Sequence, residues 1–98
     1  MQEFLSQFEE YCQTPGVDSG KARSYAKAVE YLCDYLEITE INVQSIGRLK
    51  SLESDICDKN SVLYQELLLF LAGRRQKSYL EKGFIKAALN YLFSFFNT

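Results

Sequence analysis

The chain contains no histidine and no tryptophan, and its only proline is Pro15. Without histidine it lacks the usual general base at neutral pH and the commonest metal ligand. Serines and acids occur, but no conventional nucleophile–base triad can be assembled, and each cysteine stands without a base partner. The five glycines are isolated, so no glycine-rich loop is available to cradle a phosphate. Cys12, Cys33 and Cys57 are odd in number and scattered, with no C-x-x-C spacing. That arrangement fits neither a disulfide framework nor a zinc site. The longest apolar run, residues 67–72, is far shorter than the roughly 20 residues that span a bilayer. Met1-Gln2-Glu3-Phe4-Leu5 carries no basic segment leading into an apolar run. These absences predict a reduced, cytoplasmic protein with no membrane association, no metal, no cofactor and no catalytic activity of its own.

What is present points to helices. With 47% hydrophobic and 24% charged residues in 98, the chain has the composition of one ordinary globular domain over residues 1–98. Two stretches repeat a theme. Ser24-Tyr25-Ala26-Lys27-Ala28-Val29-Glu30-Tyr31-Leu32-Cys33-Asp34-Tyr35-Leu36 places apolar or aromatic residues at 25, 28/29, 32 and 35/36. Phe84-Ile85-Lys86-Ala87-Ala88-Leu89-Asn90-Tyr91-Leu92-Phe93-Ser94-Phe95-Phe96 does the same at 85, 88/89, 92 and 95/96. Each spacing lays an apolar stripe along one side of a helix.

The spacing predicts a first helix over about residues 2–13, with Phe4, Leu5, Phe8, Tyr11 and Cys12 inward. Thr14-Pro15-Gly16 stops it, because proline denies a donor and glycine permits the turn. Asp18 or Ser19 offers a cap for a second helix ending near Glu37, whose outer face carries Arg23, Lys27, Glu30 and Asp34. Residues 38–44 are rich in β-branched side chains, but with no second strand to pair they read as a connector. A third helix follows over about residues 45–58, with Ile46, Leu49, Leu52 and Ile56 inward. Asn60 or Ser61 caps a fourth, and Gly73 stands where a left-handed C-terminal residue is wanted. Leu63, Leu67, Leu68, Phe70 and Leu71 cover much of that helix's circumference, which predicts the most buried position in the fold. Ser78 opens the last helix, to about Phe96, with Gly83 as a weak point. The expected fold is all-α, a single compact bundle of four to five helices joined by short loops.

The net charge of −2 hides an uneven distribution. Residues 1–40 hold Glu3, Glu9, Glu10, Asp18, Glu30, Asp34, Glu37 and Glu40 against Lys21, Arg23 and Lys27. Residues 73–98 hold Arg74, Arg75, Lys77, Lys82 and Lys86 against Glu81 alone. The basic turn 74–77 leads into Ser78-Tyr79, and a turn entering a helix start offers free N–H groups beside cations, an arrangement that suits phosphate. Lys21, Arg23 and Lys27 form a second candidate set. The alternative account is that such cations complement helix dipoles and keep the surface solvated. The final turn, Tyr91-Leu92-Phe93-Ser94-Phe95-Phe96, is apolar around nearly its whole circumference. That makes Tyr91, Phe93, Phe95 and Phe96 candidates for an interface with another chain or a following domain.

The residues from Asp18 to Leu36, with Tyr25, Val29, Leu32, Tyr35 and Leu36 at their apolar positions, resemble the start of the helical core-binding (SAM-like) domain of phage-type tyrosine recombinases. The stretch Ile85-Lys86-Ala87-Ala88-Leu89-Asn90-Tyr91-Leu92-Phe93 is similar to that domain's closing helix. Lys21-Ala22-Arg23-Ser24-Tyr25 and Ala87-Ala88-Leu89-Asn90-Tyr91-Leu92-Phe93-Ser94-Phe95 also resemble the N-terminal helical DNA-binding domain of HNH-type and modification-dependent restriction endonucleases. The resemblance covers about a third of the chain, mainly core positions. It implies a module that positions duplex DNA for a fused or separate catalytic domain, with basic residues at helix starts on the phosphates. The set it implies is Arg74, Arg75, Lys77, Ser78, Lys82 and Lys86, with Lys21, Arg23 and Lys27 secondary. The acidic balance and the apolar last turn motivate the rival expectation, a protein–protein interaction or dimerisation domain such as a small defence-related or phage-encoded adaptor.

Overall fold

Short polar side chains start three of the helices. In a computed structural model that describes residues 1–97, all regular structure is helical: α1 (Gln2–Gln13), α2 (Ser19–Leu36), α3 (Val43–Cys57), α4 (Val62–Gly73), α5 (Ser78–Glu81) and α6 (Phe84–Phe96). Asp18 caps α2 by accepting the Lys21 N–H at 2.9 Å. Ser61 does the same for α4 through the Tyr64 N–H at 3.0 Å. Asn42 and Ser45 form a reciprocal capping box: the Ser45 N–H donates to Asn42 Oδ1 and the Asn42 N–H to Ser45 Oγ. The box satisfies two otherwise orphaned donors. It also starts α3 at Val43, two residues before the position read from the sequence.

The all-helical class holds, but among the described residues there are six helices and not four to five. The single helix expected from Ser78 to Phe96 is broken at Gly83, whose φ is +80°. The reason lies in the core. At about 100° per residue, Leu80 and Ile85 would sit roughly 140° apart on a continuous helix. Both are nonetheless buried, so the chain turns at Gly83 and brings both inward.

The core is built around α2 and α6, the two helices with matching stripes. Ala22, Ala26, Ala28, Val29, Leu32, Cys33 and Leu36 of α2 are buried, as are Ile85, Ala88, Leu89 and Leu92 of α6. Tyr25 stacks on Tyr91 with ring centroids 5.2 Å apart and also meets Phe84, while Tyr31 meets Tyr79. These ring pairs tie both α5 and α6 to α2. On the other side, Phe4, Phe8 and Tyr11 of α1 converge on Phe95, at 5.5, 5.9 and 5.0 Å between centroids. Tyr11 Oη and Ser94 Oγ are hydrogen-bonded at 2.7 Å. The radius of gyration, 12.6 Å, matches the value of about 13 Å for a compact chain of this length.

Two further expectations are corrected. The fourth helix is not the most buried: only Tyr64, Leu67 and Leu71 of α4 are buried, and Val62 and Leu69 are 73% and 74% exposed. Its apolar content exceeds what its neighbours can cover. Nor is Gly73 the left-handed residue that ends it. Arg75 takes that role at φ +61°, with its own N–H on the Ala72 carbonyl at 3.0 Å and the Gln76 N–H on the Leu71 carbonyl at 2.8 Å. This pair of bonds closes a helix end usually closed by glycine.

Candidate nucleic-acid interface

All eight candidate cations are exposed, and Ser78 is half-buried at the first position of α5. Lys21, Arg23 and Lys27 lie on α2, and Arg74, Arg75, Lys77, Lys82 and Lys86 follow the end of α4 as far as the start of α6. Arg23 and Lys27 line a small groove between α1 and α2 together with Glu9 and Glu30, and Lys27 Nζ lies 3.5 Å from Glu30 Oε1. Lys21 sits in the first turn of α2, where its backbone is taken by the Asp18 cap. Arg74 reaches back to α2, its Nη1 donating to Asp34 Oδ2 at 2.8 Å.

The remaining cations behave differently. Arg75, Lys77, Lys82 and Lys86 have no ion pair among the described residues; the two pairs found there are Lys27–Glu30 and Arg74–Asp34. These four fall on one stretch, comprising the turn 74–77, the short α5, the residues after it and the start of α6. Lys86 faces a groove of about 200 Å³ lined also by Ile56, Cys57, Lys59, Tyr64, Leu80, Glu81 and Gly83. Lys59 thus joins the basic corner from the α3–α4 loop. Sequence reasoning missed it because Asp58-Lys59-Asn60 reads as a neutral polar turn, and no local spacing connects residue 59 to residue 86. Glu81 is the acid within the corner.

Exposed cations of this kind can attract anions, and the three thiols of the chain are all held above their ordinary range. Burial pushes the Cys12 thiol up to about 11 and the Cys33 thiol up to about 12, with Glu9 and Asp34 adding to the shift in turn. Cys57 is also raised, first by burial and then by Glu53, while Lys86 pulls it the other way. Thiols held above their ordinary value are protonated near neutral pH and poor nucleophiles. Among the described residues no group of three or more His, Cys, Asp or Glu side chains is placed to hold a metal ion. No described helix is long and apolar enough to cross a membrane.

The aromatic candidates are largely taken up within the chain. Tyr91 stacks on Tyr25, Phe95 is surrounded by the α1 rings, and Lys50 Nζ lies 5.6 Å from the Phe93 centroid. Tyr91, Phe93, Phe95 and Phe96 are each half-buried against the core. α2 packs on Tyr91 and α1 on Phe95, and all four rings keep part of their surface exposed. Arg48 has a structural task that the sequence did not reveal: its Nη1 donates to the Leu36 carbonyl at 3.0 Å, closing the C-terminal end of α2.

No protein-family model matches the chain, and comparison with curated proteins and with solved structures likewise finds no match.

Proposed function

We propose that the chain is a non-catalytic module that holds duplex DNA by its phosphates, for a restriction or recombination domain that performs the chemistry. The contact surface is the α4–α6 corner: Arg75, Lys77, Lys82 and Lys86, extended by Lys59. The supporting observation is the division of the cations into two classes. Lys27 and Arg74 each pair with an acid; Lys21 and Arg23 on α2 are exposed and unpaired, and Arg75, Lys77, Lys82 and Lys86 form the larger exposed, unpaired set. Phosphate binding draws its free energy from release of condensed counterions by free cations, so unpaired groups count for most. The resemblance of the α2 and α6 stripes to recombinase and restriction-enzyme helical domains points to the same class of ligand.

The test is charge reversal at two places. Anisotropy measurements on a short labelled duplex at low salt should show the triple change Arg75→Glu, Lys77→Glu, Lys82→Glu lowering affinity by about tenfold or more. The double change Arg23→Glu, Lys27→Glu should shift it by less than about threefold, since those cations already stand among acids. Equal effects from both sets, or none from the corner, contradict the assignment.

A second reading, a protein-interaction or dimerisation domain, is favoured by Val62 and Leu69. They lie seven residues apart on one exposed face of α4. Sedimentation across a concentration range decides it: an association that Leu69→Glu abolishes supports this reading, and a monomer throughout removes self-association.

A further inference from the structure

Arg74 differs from the cations that follow it. Besides its bond to Asp34, its guanidinium carbon lies 4.5 Å from the centroid of the Phe70 ring. Phe70 in turn meets Tyr35 at 5.3 Å between centroids, and the Tyr35 hydroxyl donates to Glu66 at 3.2 Å. Glu66, Phe70 and Arg74 follow one another at four-residue spacing, which places them on one ridge of α4. That ridge faces Asp34 and Tyr35 in the last turns of α2. The carboxylate takes one guanidinium donor and the ring one of its faces, two directional contacts that restrain the side chain. Immediately after it, Arg75 holds a left-handed backbone that disfavours any residue with a Cβ. Strain of this kind persists only where surrounding contacts enforce it.

We propose that Arg74 is a positioning residue and not a phosphate contact. Asp34 and Phe70 hold Arg74, Arg74 fixes the 74–77 turn, and the fixed turn presents Arg75 and Lys77 as a preformed clamp. Holding the turn in advance removes part of the ordering cost on binding. The purpose of this latch rests on the DNA reading above; the latch itself is a property of the free chain.

Two measurements on the full chain test it: amide exchange at Gln76, and duplex affinity as a function of salt. The variants are Asp34→Asn, Phe70→Leu and Arg75→Gln. Because an exposed pair is a modest restraint, Asp34→Asn should speed exchange of the Gln76 N–H by about threefold relative to Leu67. The same variant should weaken duplex binding by a similar factor with an unchanged salt slope. Phe70→Leu, which alters no charge, should act in the same direction. Arg75→Gln should leave Gln76 exchange alone and flatten the salt slope by about one. Asp34→Asn discriminates most sharply because it deletes a negative charge. Were Arg74 a phosphate contact, releasing it would tighten binding and steepen the slope, and that result overturns the proposal. Unchanged Gln76 exchange in both latch variants overturns it as well. Faster Gln76 exchange in a chain that binds no duplex even at low salt upholds the latch and defeats the DNA reading alone. Asp34 is half exposed at the surface, so Asp34→Asn keeps the test intact if Phe70→Leu proves too unstable.

Discussion

Glu37 and Arg75 occupy left-handed backbone, at φ +58° and +61°, at the ends of α2 and α4. Each closes its helix with the same pair of bonds: the Ile38 N–H reaches the Cys33 carbonyl, as the Gln76 N–H reaches that of Leu71. Glycine would adopt this conformation without steric cost, offset in part by its greater freedom in the unfolded chain. Glu37→Gly and Arg75→Gly should therefore each raise unfolding free energy by about 0.5 kcal/mol, read from urea denaturation. The two then part company at duplex binding, which Glu37→Gly should preserve and Arg75→Gly should weaken. The buried thiols make a separate prediction. Cys33 keeps its proton up to about 12 when folded, against 9.0 for a free thiol. Its contribution is thus whole below about pH 9 and is lost as pH rises through the interval up to 12. Denaturation midpoints should fall above pH 9, and Cys33→Ala should fall less steeply over the same interval.

At the scale of elements, the break between α5 and α6 is the feature with the clearest energetic signature. A Cβ at Gly83 would meet nothing within 4 Å, so Gly83→Ala acts through the backbone alone and should cost about 1–2 kcal/mol. Chemical denaturation measures it; no loss would mean that the left-handed turn is not needed. Phe95 tests the packing of α1 on α6. Truncation to alanine removes contacts with Phe4, Phe8 and Tyr11 and should cost about 2–4 kcal/mol. Full stability together with weakened self-association would instead assign the ring to an interface. The end of α1 and the starts of α2 and α4 were legible in the sequence, because Thr14-Pro15-Gly16, Asp18 and Ser61 act through local bonds. The Gly83 break was not read from the sequence, although Leu80 falls off the stripe set by Ile85, Leu89 and Leu92. A glycine's propensity cost does not by itself separate a weakened helix from a broken one. The exposure of α4 was not readable, since periodicity shows which faces are apolar and says nothing about which of them neighbours cover.

For the whole molecule, the sequence announced its charge asymmetry but not how the fold would spend it. Arg74 sits beside Arg75 in the chain, yet one is drawn onto Asp34, forty residues away, and the other is left free. Lys59 entered the corner through a groove that no local pattern encodes. Pairing across elements thus sorted the candidate cations, and only the tertiary structure carries that information. The result is an acidic chain with one unpaired basic corner, which should give salt-sensitive and largely sequence-indifferent duplex binding. The slope of log affinity against log salt for the unaltered chain on a short duplex tests this most directly. Contacts from Arg75, Lys77, Lys82 and Lys86 predict a slope of about −3 to −4, at roughly 0.9 per neutralised phosphate. A slope near zero, or no binding at low salt, would contradict the account.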